Sequence, residues 1–131
     1  MALLRVAKLG DPILRQKTKL VDLEVLKSQD NKIQALIDNM IETMREEDGV
    51  GLAAPQVFQS LRLVVIESSF NERYPEAPNI PLTVLVNPSI KCYGEENVLG
   101  WEGCLSLKDL RGLVPRSKEI TVEYFDREGN L

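Results

Sequence analysis

Ile33, Leu36, Ile37, Met40, Ile41 and Met44 recur at i, i+3, i+4, i+7, i+8 and i+11. That spacing lines one stripe of an α-helix with apolar side chains, so the chain has to fold with something apolar laid against the stripe. A helix is expected over residues 30–45, with Asp30 or Ser28 as its N-cap. Its far end carries Glu46, Glu47 and Asp48, where the helix dipole favours cations, and reads as a solvated acidic terminus.

Beyond the helix the apolar residues take up the period of strands. "LRLVVIE" (61–67) is a short apolar strand and "NERYPEAPNIP" (71–81) a proline-rich surface loop. "LTVLVNPSI" is a second strand, expected to end at Asn87-Pro88. Turn signals at Gly94 and Gly100 divide the next stretch into meandering antiparallel strands. In "EITVEYF" (119–125), Ile120, Val122 and Tyr124 alternate with Thr121 and Glu123, the pattern of a half-buried strand, and "DREGN" after it reads as a hairpin turn. The fold class is therefore α+β, antiparallel sheets with an N-terminal amphipathic helix, in one domain over 1–131. A hairpin turn should deliver a partner strand, and the sequence stops at Leu131; this leads to the expectation that the sequence is incomplete at its C-terminal side.

Charge narrows the partners. The formal net charge is -4 and the isoelectric point about 4.9, a balance that disfavours a nucleic-acid or membrane-surface partner, since both need a concentrated basic face. The opening residues interrupt their apolar runs with Arg5, Lys8, Asp11 and Arg15, so no signal-peptide core is expected and the default compartment is the cytoplasm.

Chemistry concentrates at two places. "WEGCLSL" (101–107) sets Cys104 in a glycine-flanked turn, yet the usual partner of a working cysteine, histidine, does not occur in the chain. Cys104 can be a small buried hydrophobe, a nucleophile or a metal ligand, and composition alone favours packing. Cys92 and Cys104 are expected to be reduced rather than paired. The second place is "GVGLAAPQ" (49–56), small residues that allow close approach of another backbone but lack the glycine spacing of a nucleotide loop. Gln56 taken alone reads as a surface or turn-capping glutamine.

Taken together, "GVGLAAPQ" and "EGCLS" (102–106) resemble the first two motifs of the peptide deformylases, matched at every defined position and in order. "LGDPILR" near the start and "GLVPRSKEITVEYFDREGN" after the second motif extend the resemblance over the whole chain. It implies metal-dependent hydrolysis of the formyl group from formylmethionine at the start of nascent polypeptides at the ribosome. Cys104 would be the thiolate ligand of one divalent ion, most often Fe2+, with Zn2+, Ni2+ or Co2+ as substitutes. Gln56 and the backbone amide of Leu105 would steady the oxyanion. Val50, Gly51 and Gly103 would line the groove for a peptide added as a strand, Arg111 would help bind it, and Glu102 would hold the cysteine loop from behind. Trp101 suits either the core or a substrate contact. The family's third motif, H-E-x-x-H on a central metal-bearing helix, is absent from the sequence and is expected beyond Leu131. The 131 residues are accordingly expected to be inactive by themselves, with a non-catalytic module that binds peptide N-termini as the alternative. The resemblance also implies a cytoplasm of bacterial type, or an organelle of bacterial origin.

Overall fold

The structure, a computed structural model, describes residues 2–28, 31–69 and 78–131. Asp30 and residues 71–77 of the proline-rich stretch lie outside them. A single turn of 3-10 helix at Pro12–Arg15 starts with its proline. Next come two helices, α1 (Leu23–Lys27) and α2 (Lys32–Glu46), and then strands β1 (Gly51–Ala53), β2 (Leu63–Ser68), β3 (Ile80–Tyr93), β4 (Asn97–Cys104), β5 (Leu107–Ser117) and β6 (Ile120–Phe125).

Helix α2 starts two residues later than expected, because Asn31 is its N-cap. The Asn31 carboxamide oxygen accepts from the amides of Ile33 (2.9 Å) and Gln34 (3.2 Å), while its Nδ2 donates back to the carbonyls of Leu26 and Ser28. One side chain thus caps α2 and ties it to the end of α1. Ser28 instead closes α1, its hydroxyl on the Val25 carbonyl.

Among the described residues, β1, β2, β3 and β6 form an antiparallel sheet in that spatial order, and β4 pairs with β5 in a separate two-stranded sheet. Alternation along β2 turns Leu63 and Val65 inward, paired with Val86 and Val84 of β3, and Leu52 of β1 sits beside Val65. These side chains meet Ile37, Met40, Ile41 and Met44 of α2 in the core. Burying an aliphatic side chain of this size stabilises the fold by roughly 1.5–3 kcal/mol. The helix stripe and the sheet face therefore complete one another.

Strand β3 differs from its expected length: it runs through Asn87-Pro88 instead of ending there. Asn87 adopts a left-handed backbone (φ 53°), and the register with β6 slips between Val86 and Ser89, so a bulge absorbs the proline. The Asn87 carboxamide then clasps the backbone of Val21, accepting from its amide (2.8 Å) and donating to its carbonyl (3.0 Å). Gly100 likewise lies inside β4 rather than in a turn. A turn forms at "DREGN", with the Asp126 carboxylate capping the amides of Glu128 and Asn130. Arg127 of that turn reaches Gln34 and Asp38 on α2.

Candidate functional site

The loop that leaves α2 turns through Asp48, whose φ of 55° is left-handed, and enters β1 at Gly51. Beyond β1 a single 3-10 turn, Ala54–Val57, carries Pro55 as its second residue and Gln56 as its third. The Ala53 amide, which can only donate, holds the Gln56 Oε1 at 2.9 Å. That contact fixes which way the carboxamide faces. Its Nε2 therefore points across the molecule, to Cys104 Sγ at 3.3 Å and Ser106 Oγ at 3.2 Å.

Cys104 ends β4. A register shift between Gly103 and Cys104 re-aims the cysteine, the two-residue turn Leu105-Ser106 comes next, and Leu107 opens β5. The Leu105 side chain packs over Gly49; a Cβ built on that glycine would stand 2.8 Å from Leu105 Cδ1. A larger residue at 49 would make the Leu105 side chain shift for the loop after α2 to close on the cysteine turn. Ser106 is buried, 5% exposed, and its carbonyl accepts from the Leu9 amide at 2.9 Å. The Ala7 amide donates to the Gln56 carbonyl at 2.6 Å, so the N-terminal segment straps both halves of the site together.

Two clefts meet at Gly103. One, about 420 Å³, lies between Val50, Ile66, Ser68, Ile80 and Glu102. The other, about 280 Å³, is bounded by Cys104, Asp109, Leu110 and Arg111. Of the residues expected at the site, Gln56, Cys104 and the Leu105 turn come together, and Val50, Gly103 and Arg111 border the clefts. Gly51 pairs with Ile66 in the sheet just behind Val50.

Glu102, two residues before Cys104, has its partner on β5. Its carboxylate takes a two-pronged ion pair from Arg116 of β5 (2.9 and 2.7 Å). The Arg116 hydrogen bond, with its charge, holds the Glu102 carboxyl below the ordinary carboxylate value against a smaller opposing effect of burial. Glu102 thus braces the β4–β5 hairpin. Sequence reasoning passes over Ser106, although it lies inside the "EGCLS" motif, and over the N-terminal strap, whose backbone amides leave no side-chain signal.

Both cysteines are free thiols, Cys92 exposed and Cys104 half-buried. Among the described residues no three of His, Cys, Asp and Glu cluster as metal ligands. Cys104 offers one soft ligand, so these residues do not by themselves fit a resident metal ion. They do bring a preset amide donor and a thiol together beside the clefts that meet at Gly103. Among the described residues no helix is long and apolar enough to cross a membrane.

Comparison with known proteins bears on this arrangement directly. The family model described as polypeptide deformylase matches residues 3–131. "Peptide deformylase 2" of Nostoc sp. is 50% identical over 129 residues, spanning 98% of this chain and 70% of that protein. "Peptide deformylase 1" of Bordetella pertussis is 45% identical over 124 residues, 95% of this chain and 68% of its own. The Met-Ala-Ser-bound crystal structure of a class I type b peptide deformylase from Acinetobacter baumannii superposes with a TM-score of 0.92 at 42% identity, covering 98% of this chain and 79% of that one. The peptide deformylase of Thermotoga maritima gives 0.80 at 34% identity, over 98% and 77%. Helix stripe, sheet order and the meeting of Gln56 with Cys104 thus have one common explanation: the chain belongs to the polypeptide deformylase family.

Proposed function

We propose that this chain serves the removal of the formyl group from N-formylmethionyl peptides, the starts of nascent chains at the ribosome in a bacterial-type cytoplasm. The observation that carries the reading is the contact between Gln56 and Cys104, 48 residues apart and joined at 3.3 Å. A carboxamide N–H pinned from behind by Ala53 is a preorganised donor: it needs no reorientation when charge develops on a carbonyl oxygen beside the thiol. The Leu105 amide, one residue past the cysteine, would be the second donor. The peptide would lie extended between β1 and β4, bonded to the backbone near Val50, Gly51 and Gly103, with Arg111 beside it. That a relative crystallises with Met-Ala-Ser supports a peptide groove here.

A divalent ion, Fe2+ first and Zn2+, Ni2+ or Co2+ after it, would meet a single ligand in this chain, the Cys104 thiolate. The residues described account for holding the peptide and stabilising charge rather than for activating water. Hence we take the 131 residues by themselves to bind formylmethionyl peptides without turning them over. A second reading is a module that binds peptide N-termini without cleaving them.

One experiment tests both the groove and the inactivity. The purified 131-residue chain is incubated with a formyl-Met-Ala-Ser peptide and each divalent ion in turn, with formate release and metal content measured, while peptide binding is followed by amide shifts at Gly51 and Gly103. Binding without formate release is the expected result. Formate release by this chain would overturn the inactivity, and no binding at millimolar peptide would overturn the groove.

A further inference from the structure

We propose that the outer face of the β4–β5 hairpin, centred on Trp101, is a platform for alternate side chains of the bound peptide and gives the site a preference for apolar residues there. The inference rests on the proposed addition of the peptide as a strand and extends it past the first residue.

Pairing in the hairpin sets the geometry. Leu99 faces Pro115, Trp101 faces Leu113 and Gly103 faces Arg111, and residues two apart share a face, so all of these lie on one side. Glu102 belongs to the opposite side, with Val98 and Gly100. Leu99, Trp101 and Leu113 are 67%, 62% and 50% exposed, an apolar stripe in the open. The stripe is continuous with the site, because the next rung after Trp101–Leu113 is Gly103–Arg111, and Gly103 borders both clefts.

A peptide that starts at Cys104 and runs back along β4 is antiparallel to it. If the first side chain enters the cleft beside Val50 and Glu102, alternation sends the second to the other face, over Gly103. From there a long second side chain can lean diagonally onto Trp101, and the fourth side chain comes directly opposite Trp101. The third returns to the Glu102 side. The occupant is therefore the peptide itself, with apolar residues at positions two and four.

Trp101 is the chain's one tryptophan and reports on its own face. The test titrates the 131-residue chain with formyl-Met-Ala-Ala-Ala, formyl-Met-Leu-Ala-Leu and formyl-Met-Ala-Leu-Ala, reading tryptophan emission and amide shifts. The peptide with leucines at two and four is expected to bind about five- to tenfold tighter than the alanine peptide, as burial of some tens of square ångströms of apolar surface implies. It should also shift the emission to the blue; the peptide with leucine at three should not. Trp101→Ala should bring the affinity ratio close to one, and Trp101→Phe should keep part of it. Peptides that bind with equal affinity and leave the emission unchanged would overturn the platform and leave the groove standing. No binding by any of the three would overturn the groove and the platform with it. A blue-shifted emission before peptide is added, with a dimer in sedimentation, would assign the face to a second copy of the chain instead.

Discussion

Gln56, Cys104 and Ser106 form a small network in which each hydrogen of one carboxamide has a use. Oε1 is held by Ala53, one N–H lies on Ser106 Oγ and the other is directed at Cys104 Sγ. Because Ser106 is buried, Ser106→Ala leaves a donor without its acceptor and is expected to cost about 1–2 kcal/mol in urea denaturation. The double variant Gln56→Ala/Ser106→Ala should cost less than the sum of the two single changes, since the second removes the group the first had stranded. Additive losses would show that the two side chains act independently. Sequence makes Gln56 and Cys104 legible through their motifs, since each motif is a local string. It leaves Ser106 without a role, because a serine two residues past a cysteine becomes an anchor only when a loop 50 residues away folds over it.

At the level of elements, the regular periods are readable and the interruptions are not. The stripe on α2 and the alternation along β2 follow from which side chains must leave water, and both stand in the structure. Asn87-Pro88 reads as a strand end because proline cannot donate to a ladder and the sequence does not reveal what else could hold the strand. The answer is distant: the Asn87 side chain binds both backbone groups of Val21 while its own amide donates to the Arg62 carbonyl at 2.9 Å. Asn87→Gly keeps the left-handed backbone and loses the two side-chain bonds, so it is expected to lower stability by about 1–2 kcal/mol. Asn87→Ala adds the strain of a positive φ, roughly 1 kcal/mol more. Equal stability of the two variants would place the whole effect in the side-chain bonds. Asn31 repeats the lesson at the start of α2, where the cap is set by its reach to α1 rather than by position along the helix stripe.

The molecule as a whole is unevenly supported. Its core lies between α2 and the sheet of β1, β2 and β3, with Leu105 and Phe125 packed at the margin, whereas the β4–β5 hairpin contributes little to that core. The hairpin is steadied by its own ladder, the Cys104 turn and the Glu102–Arg116 pair. Local opening should therefore begin there, and it should depend on pH. The folded Glu102 carboxyl lies below its unfolded value, so the stabilisation is fully present above the unfolded value and is lost as pH falls through the folded one. Arg116 stays charged throughout, and its own shift upward, caused by the same carboxylate, lies outside any accessible range. Hydrogen exchange, corrected for intrinsic rates, should show β4–β5 amides opening more readily than those of β2–β3. The gap should widen as pH falls below the ordinary carboxylate range, since the folded Glu102 carboxyl takes up its proton below its usual value. Glu102→Gln should make the hairpin open at neutral pH about as easily as the parent does in acid, and remove most of the acid dependence of the hairpin. The pair is half-exposed, so the effect should also shrink in high salt. If the hairpin of the variant keeps the parent's acid dependence, its weakness in acid comes from other carboxylates, and Glu102 is not what couples the edge of the groove to pH.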